Sequence, residues 1–243
     1  RYAMKRIDAR EFNQLRKINI QRDFIKYAEG SCLIEMGGTK IVCTATVDKN
    51  VPLFLRNSRT GWVTAEYGML PRSTGNRISR DRISGRRMEI QRLIGRSLRS
   101  VVDLKRLGER TIWVDCDVIQ ADGGTRTASI VGGFVALGDC LHRLHSQGLI
   151  DKVCITDFLG AVSVGVVRGK HLLDLTYDED SQADVDMNVV MKASGEFIEI
   201  QGTAEKSSFS QDELNSLLDL GRKGIEEIID IERNLFKDIF FNP

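Results

Sequence analysis

The chain has few groups suited to soft-metal or nucleophile chemistry. Its 243 residues hold three histidines and five cysteines. The cysteines (Cys32, Cys43, Cys116, Cys140, Cys154) are odd in number, scattered and mostly in apolar runs, and none has Cys-x-x-Cys spacing. This argues against a metal cage or disulfide framework and reads as buried, reduced thiols in the cytoplasm. His142 and His145 stand three apart on an expected helix, with no nearby acid or cysteine to complete a metal set, so they read as helix-face residues. No run of about 18 apolar residues is present, so no membrane helix is expected. No charged-apolar-small leader opens the chain, which reads as no export signal, and Arg1 in place of methionine reads as a trimmed or incomplete start. There is no Gly-x-Ser-x-Gly elbow, no cysteine beside a histidine and no Walker phosphate loop. Net charge is only +1, so global charge says little about partners.

What is present is a chain with 42% hydrophobic residues, long enough for one large domain or two small ones. Segments 31–36 and 40–47, 161–167 and 171–177, and 189–192 and 196–201 pair as hairpins around glycine-bearing turns. Helical periodicity covers 88–107 and 129–147, and Ser210-Gln211-Asp212-Glu213 opens a third helix as a capping box. The pattern predicts an α+β fold of two similar strand-and-helix halves, of βαβα type, with antiparallel strands backed by helices. No Pro/Ser/Gly linker divides the chain. We read 1–243 as one domain, with an N-terminal half at 11–152, a C-terminal half at 153–243, and 153–157 as the joint.

Two segments suggest an anion site. Ala121-Asp122-Gly123-Gly124-Thr125-Arg126-Thr127-Ala128 joins a strand reading (111–120) to a helix. The glycines let backbone approach a ligand, the helix start offers free N–H groups and a positive dipole end, and Arg126 adds a forked cation. Phosphate is the expected guest, with an ordinary strand-to-helix turn as the plainer alternative. Ser84-Gly85-Arg86-Arg87 is a second helix start of the same kind. From Arg72 to Arg87 there are six arginines against one acid. Arg72, Arg77, Arg80 and Arg82 of this loop read as RNA or phosphate contacts. Phe54, Trp62 and Tyr67 upstream read as core aromatics, with base stacking as the alternative. Arg92, Arg96 and Arg99 form a helical stripe that reads as solvated or subunit-facing.

The stretch from Asp174 to Asp186 is the opposite, with six acids and no base. Asp184 and Asp186 share a face if extended, and Asp180 reaches them if the intervening residues turn. Converging carboxylates repel unless a cation joins them, and Mg²⁺ (or Mn²⁺) suits them; a charged surface turn is the plainer reading. An enzyme that binds inorganic phosphate, RNA and a metal needs no protein nucleophile, because phosphate itself can attack a terminal phosphodiester.

The residues Tyr67-Gly68-Met69-Leu70-Pro71-Arg72, Arg87-Met88-Glu89-Ile90-Gln91-Arg92, the octapeptide 121–128, Glu179-Asp180-Ser181, Asp186-Met187-Asn188 and Gln201-Gly202-Thr203-Ala204-Glu205 resemble, in that order, the ribonuclease PH family. These are phosphate-dependent 3′-exoribonucleases related to polynucleotide phosphorylase and the exosome ring. The resemblance spans 19–227. It implies a phosphate site at Arg86, Gly124, Thr125 and Arg126, and metal-linked catalytic aspartates at Asp180 and Asp186, with Asp184 a neighbour of less certain role. It further implies a homo-hexamer, a trimer of dimers, that trims precursor tRNA and other RNA 3′ ends and releases nucleoside diphosphates. Arg87 departs from the family's threonine and adds charge near the phosphate. A catalytically silent, RNA-binding ring subunit would lose the phosphate arginines or the aspartates, and this chain keeps them. A hydrolytic nuclease would need no phosphate cradle.

Overall fold

The computed structural model describes residues 5–80, 85–206 and 208–240. The N-terminal half is a five-stranded sheet of β1 (Ile18–Arg22), β2 (Gly30–Met36), β3 (Thr39–Asp48), β4 (Trp62–Met69) and β5 (Thr111–Gln120), in the order β1-β2-β3-β5-β4. Pairing is antiparallel except between β4 and β5, which run parallel. The expectation of purely antiparallel strands is corrected here. The chain leaves β4 through α1 (Gly85–Arg99) and α2 (Leu104–Leu107), and such a crossover re-enters the sheet parallel.

The C-terminal half is an antiparallel sheet of β6 (Leu159–Val167), β7 (Lys170–Leu173), β8 (Val185–Lys192) and β9 (Phe197–Ala204), in the order β7-β6-β8-β9. Arg168 and Gly169 between β6 and β7 both adopt positive φ, the geometry a two-residue hairpin turn requires.

Helix α3 (Thr125–Ser146) lies between the halves and is apolar nearly all round, so it is buried on all sides. It packs on β2 and β3 of one sheet and on β6 of the other. Close approach to the first sheet depends on Gly132, where a Cβ would fall 2.7 Å from Cys43 Sγ and from Ile34. The outer face of the second sheet is covered by α5 (Gln211–Leu235), which opens on the expected Ser210–Glu213 capping box. Strand β6, between α3 and α5, is buried at every position. All five cysteines are free and buried. No described helix is long and apolar enough to cross a membrane.

Two expected elements differ in detail. The single helix over 88–107 is broken after Arg99, because Asp103 caps a new turn by accepting from the Lys105 and Arg106 N–H groups. Val101 and Val102 between the two helices pair with the chain entering the second half: Thr156 N–H donates to Val101 O (2.9 Å) and Val102 bridges Ile155. The expected strand over 171–177 ends at Leu173, where Asp174 turns at positive φ and Thr176 starts α4 (Tyr177–Asp180).

Helix α5 carries a buried acid. Glu232 is fully buried and its carboxyl oxygens have no hydrogen-bond partner among the described residues. Burial pushes its pKa well above the usual carboxylate value, with the nearby Leu159 backbone opposing. A raised folded pKa contributes stability that is complete below the unfolded pKa and is lost as pH rises through the folded one. Glu232→Met, similar in volume and apolar, should therefore raise the melting temperature at pH 8 by roughly 3 °C or more, and the gain should shrink as pH falls toward about 4. Equal melting curves for the two proteins at both pH values would contradict this.

Candidate functional site

The site is assembled around the turn from β5 into α3. Gly123 and Gly124 both have positive φ. A Cβ on Gly123 would fall 2.5 Å from Leu175 O, so the turn packs backbone to backbone against the second half. Gly124 is the N-cap of α3 and supplies no side-chain cap, which leaves the first helical N–H groups open to a ligand. Tyr67, buried at the end of β4, donates to Thr125 Oγ1 at 2.9 Å and anchors the first turn. Arg126 follows, its Nη2 donating to Glu89 of α1 at 3.0 Å. Arg86 lies in the first turn of α1 and makes no ion pair among the described residues.

The acids come from the other half. Thr176 and Glu179 form a capping box, and Arg6 donates to both Glu179 oxygens at 2.8 and 2.7 Å. That buried clamp fixes the single turn of α4 that ends in Asp180. Strand periodicity places Asp186 and Asn188 of β8 on one face. Asp180, Asp186 and Asn188 then line, with Arg86 and Gly123–Arg126, a cavity of about 390 Å³.

The charges feel one another. Burial raises the Asp180 pKa, and Arg86 and Arg126 pull it back. Asp186 is pushed up to about 6, first by burial and then by Asp180 and Glu205, with Arg126 and Arg86 opposing. One wall is therefore cationic with open helix N–H groups, and the facing wall holds two partly buried carboxylates. Among the described residues no group of three or more acids, histidines or cysteines has metal-site geometry. The donor set fits only a hard cation that takes one or two carboxylates and fills its shell with water and substrate oxygens, as Mg²⁺ does.

The remaining expected residues are distributed more widely. Asp184 does not line the cavity; its carboxylate faces Lys206 at 3.7 Å. Arg72, Arg77 and Arg80 are exposed on the loop after β4, while Arg82 lies outside the described residues. The same loop reaches the cavity through Thr74 and Ile78, and Ser73 O accepts from Ala121 N–H beside the glycine turn. Arg87, expected to add charge near the phosphate, approaches Glu66 (3.8 Å). The arginine stripe is not simply solvated: Arg96 pairs with Glu199 at 2.7 Å, and Arg99 donates to Val63 O and stacks 4.2 Å over Trp62. Tyr67 is a core aromatic as expected, but Phe54 is 69% exposed and rests edge-on against Trp62. Sequence reasoning assigned no role to Glu89, Glu205, Gln201, Arg6 or Arg16. Arg6 and Arg16 carry no local pattern; Glu89, Gln201 and Glu205 stand inside the family-like motifs, but the groups they act on lie on distant segments.

Residues 14–141 match the 3′ exoribonuclease family, domain 1, and residues 157–224 match its domain 2. Ribonuclease PH of Bacillus pumilus (strain SAFR-032) is 54% identical over 233 residues, covering 94% of this chain and 96% of that protein. Among solved structures, the Archaeoglobus fulgidus exosome with RNA bound to the active site superposes with a TM-score of 0.79 at 21% identity, over 92% of this chain and 91% of that one. Rice (Oryza sativa) Rrp46 gives 0.74 at 21% identity, over 94% and 98%. At that identity these structures establish the shared fold. Two successive family domains across the site-bearing halves, with a ribonuclease PH more than half identical over nearly the whole length, place this chain in the ribonuclease PH family of phosphorolytic 3′ exoribonucleases.

Proposed function

We propose that the chain trims the 3′ ends of precursor tRNA and other RNAs, with inorganic phosphate held by Arg86, Gly124, Thr125 and Arg126 as the attacking group. The observation that carries this reading is the convergence of both arginine-bearing helix starts and both aspartates on one cavity. A phosphate oxygen attacks the phosphorus of the last phosphodiester, the bond to the preceding 3′ oxygen breaks, and a nucleoside diphosphate leaves with a new 3′ hydroxyl on the RNA. No protein nucleophile takes part. Arg86, Arg126 and the open N–H groups at the start of α3 bind and orient the incoming anion and spread the charge that develops on phosphorus. Asp180 and Asp186 are the residues that would hold Mg²⁺ or Mn²⁺, which when bound neutralises charge at the leaving oxygen. Asp184 supports that acidic wall from outside through Lys206. Arg72, Arg77 and Arg80, on the loop beside the cavity, are the proposed RNA grip, together with Arg82, which lies outside the described residues. The Archaeoglobus fulgidus exosome, of the same fold, has RNA bound to its active site, which supports RNA as the substrate class. Five buried free thiols suit the reducing cytoplasm.

Arg126→Ala and Arg86→Ala test the phosphate site. Each should lower the rate at fixed phosphate by roughly 10²-fold, while RNA affinity changes far less. Loss of RNA binding with an unchanged phosphate constant would reverse the assignment.

For the metal, Asp180→Asn and Asp186→Asn should each abolish trimming with melting behaviour kept, and Asp184→Asn should be milder. Chelation should stop the wild-type enzyme and Mg²⁺ should restore it. Because Asp186 must lose its proton to bind a cation, the Mg²⁺ needed for half-maximal rate should rise as pH falls below about 6. Full activity in excess chelator would defeat the metal role.

The proposed assembly is a hexamer, a trimer of dimers, and exposed Phe54, Met88 and Trp113 on the first half offer apolar contact surface. Light scattering should give six chain masses; a monomer fully active on precursor tRNA would exclude a functional ring.

A further inference from the structure

Arg126 does not wait for its ligand as a free side chain. It is mostly buried, and its Nη2 donates to Glu89 Oε2 at 3.0 Å. Its Nε is buried with no partner among the described residues. Glu89 in turn is held at its other oxygen, where Oε1 accepts from Gln201 Nε2 of β9 at 3.3 Å. Two turns further along α1, Arg96 pairs with Glu199 of the same strand at 2.7 Å. Helix α1, which carries Arg86, is thus tied twice to β9, and the nearer tie continues into the guanidinium of Arg126. The chain of contacts runs β9, α1, α3 and joins the acidic half of the site to the cationic half.

We propose that Glu89, steadied by Gln201, is a positioning residue that pre-sets Arg126 for the anion; this rests on the reading of Arg126 as a phosphate ligand. Glu89 engages only Nη2, and Nη1, which has no partner among the described residues, is left to an incoming oxygen. An arginine side chain has many rotamers, and ordering them on binding costs affinity. A guanidinium already fixed from one side avoids that cost. The carboxylate also repels the incoming anion, but it is 38% exposed, so solvent screens the repulsion while the hydrogen-bonded geometry persists. The brace therefore acts on phosphate affinity and leaves both RNA binding and the chemical step largely untouched.

The test is steady-state kinetics on a 3′-tailed precursor tRNA with phosphate and RNA varied separately, using the full chain and its Glu89→Ala, Glu89→Gln, Arg126→Ala and Glu89→Ala/Arg126→Ala variants. Glu89→Ala should raise the KM for phosphate about tenfold, with kcat at saturating phosphate and RNA affinity within about twofold of wild type. Glu89→Gln keeps an acceptor oxygen and should restore the constant to within about twofold. The double variant should match Arg126→Ala alone, because the brace has nothing left to hold. Glu89 is partly exposed, so its truncation leaves no sealed cavity, and melting curves will show whether the variants fold. An unchanged phosphate KM in Glu89→Ala, a lowered one in Glu89→Gln, or additive losses in the double variant would each overturn the proposal. If Arg126→Ala itself spared the phosphate constant, the phosphate-site reading would fall with it; if only Glu89→Ala did, the brace alone would fall.

Discussion

The buried pair between Arg16 and Asp174 holds the site together. Arg16 donates from Nε and Nη2 to the two Asp174 oxygens at 3.0 and 2.7 Å, and Asp174 also accepts the Arg16 backbone N–H at 2.8 Å. The same guanidinium reaches the carbonyls of Asp122 and Gly123, at the glycine turn. Asp174 is the residue at which the chain leaves β7 for α4. One ion pair therefore joins the segment carrying the glycine turn to the segment carrying Asp180. Burial opposes the charge on Arg16, yet the hydrogen bonds and charge of Asp174 more than offset it, and its pKa is raised. Removing Asp174 would leave the buried Arg16 charge without its carboxylate, a loss of about 3–5 kcal/mol. Arg6 repeats the arrangement one step further on, fixing α4 through Glu179 and the Leu173 and Asp174 carbonyls.

This mechanical coupling explains how a cavity can hold opposite charges on facing walls without collapsing into internal salt bridges. Arg86 and Arg126 lower the Asp180 and Asp186 pKa values, so they lie within electrostatic reach. Among the described residues they do not pair with those aspartates, and the buried Arg6–Glu179 and Arg16–Asp174 pairs fix the two walls relative to each other. Arg126 instead pairs with Glu89, on the side of its own half. The space left between the walls suits a substrate that is itself an anion on one side and, through a cation, bound to carboxylates on the other.

How much of this was legible in the chain follows from sequence separation. The glycine turn, the arginine-bearing helix starts, the Ser210 capping box and the glycine-bearing hairpin turns are set by neighbours a few residues apart, and the structure has them where the pattern places them; the second strand of the middle hairpin is shorter than the expected 171–177. The break between α1 and α2 was missed because the apolar period continues through Val101 and Val102, although Asp103 is a capping residue that could have signalled it. The β7 end was missed because the turn at Asp174 is enforced by Arg16, 158 residues away. The parallel β4–β5 pairing depends on a crossover that periodicity alone does not orient. Within the site, ligand-type residues carry local motifs, whereas Arg6 and Arg16 carry none, and Glu89 and Gln201, though inside motifs, take their roles from partners far along the chain.

The central claim is that inorganic phosphate, seated on the first half of the molecule, becomes part of the product. The most direct measurement uses ³²P-labelled inorganic phosphate with an unlabelled, 3′-tailed tRNA and separates the products. The label should appear in the β-phosphate of the released nucleoside diphosphates, one labelled phosphate for each nucleotide removed. Nucleoside monophosphates with all label remaining in inorganic phosphate would contradict it.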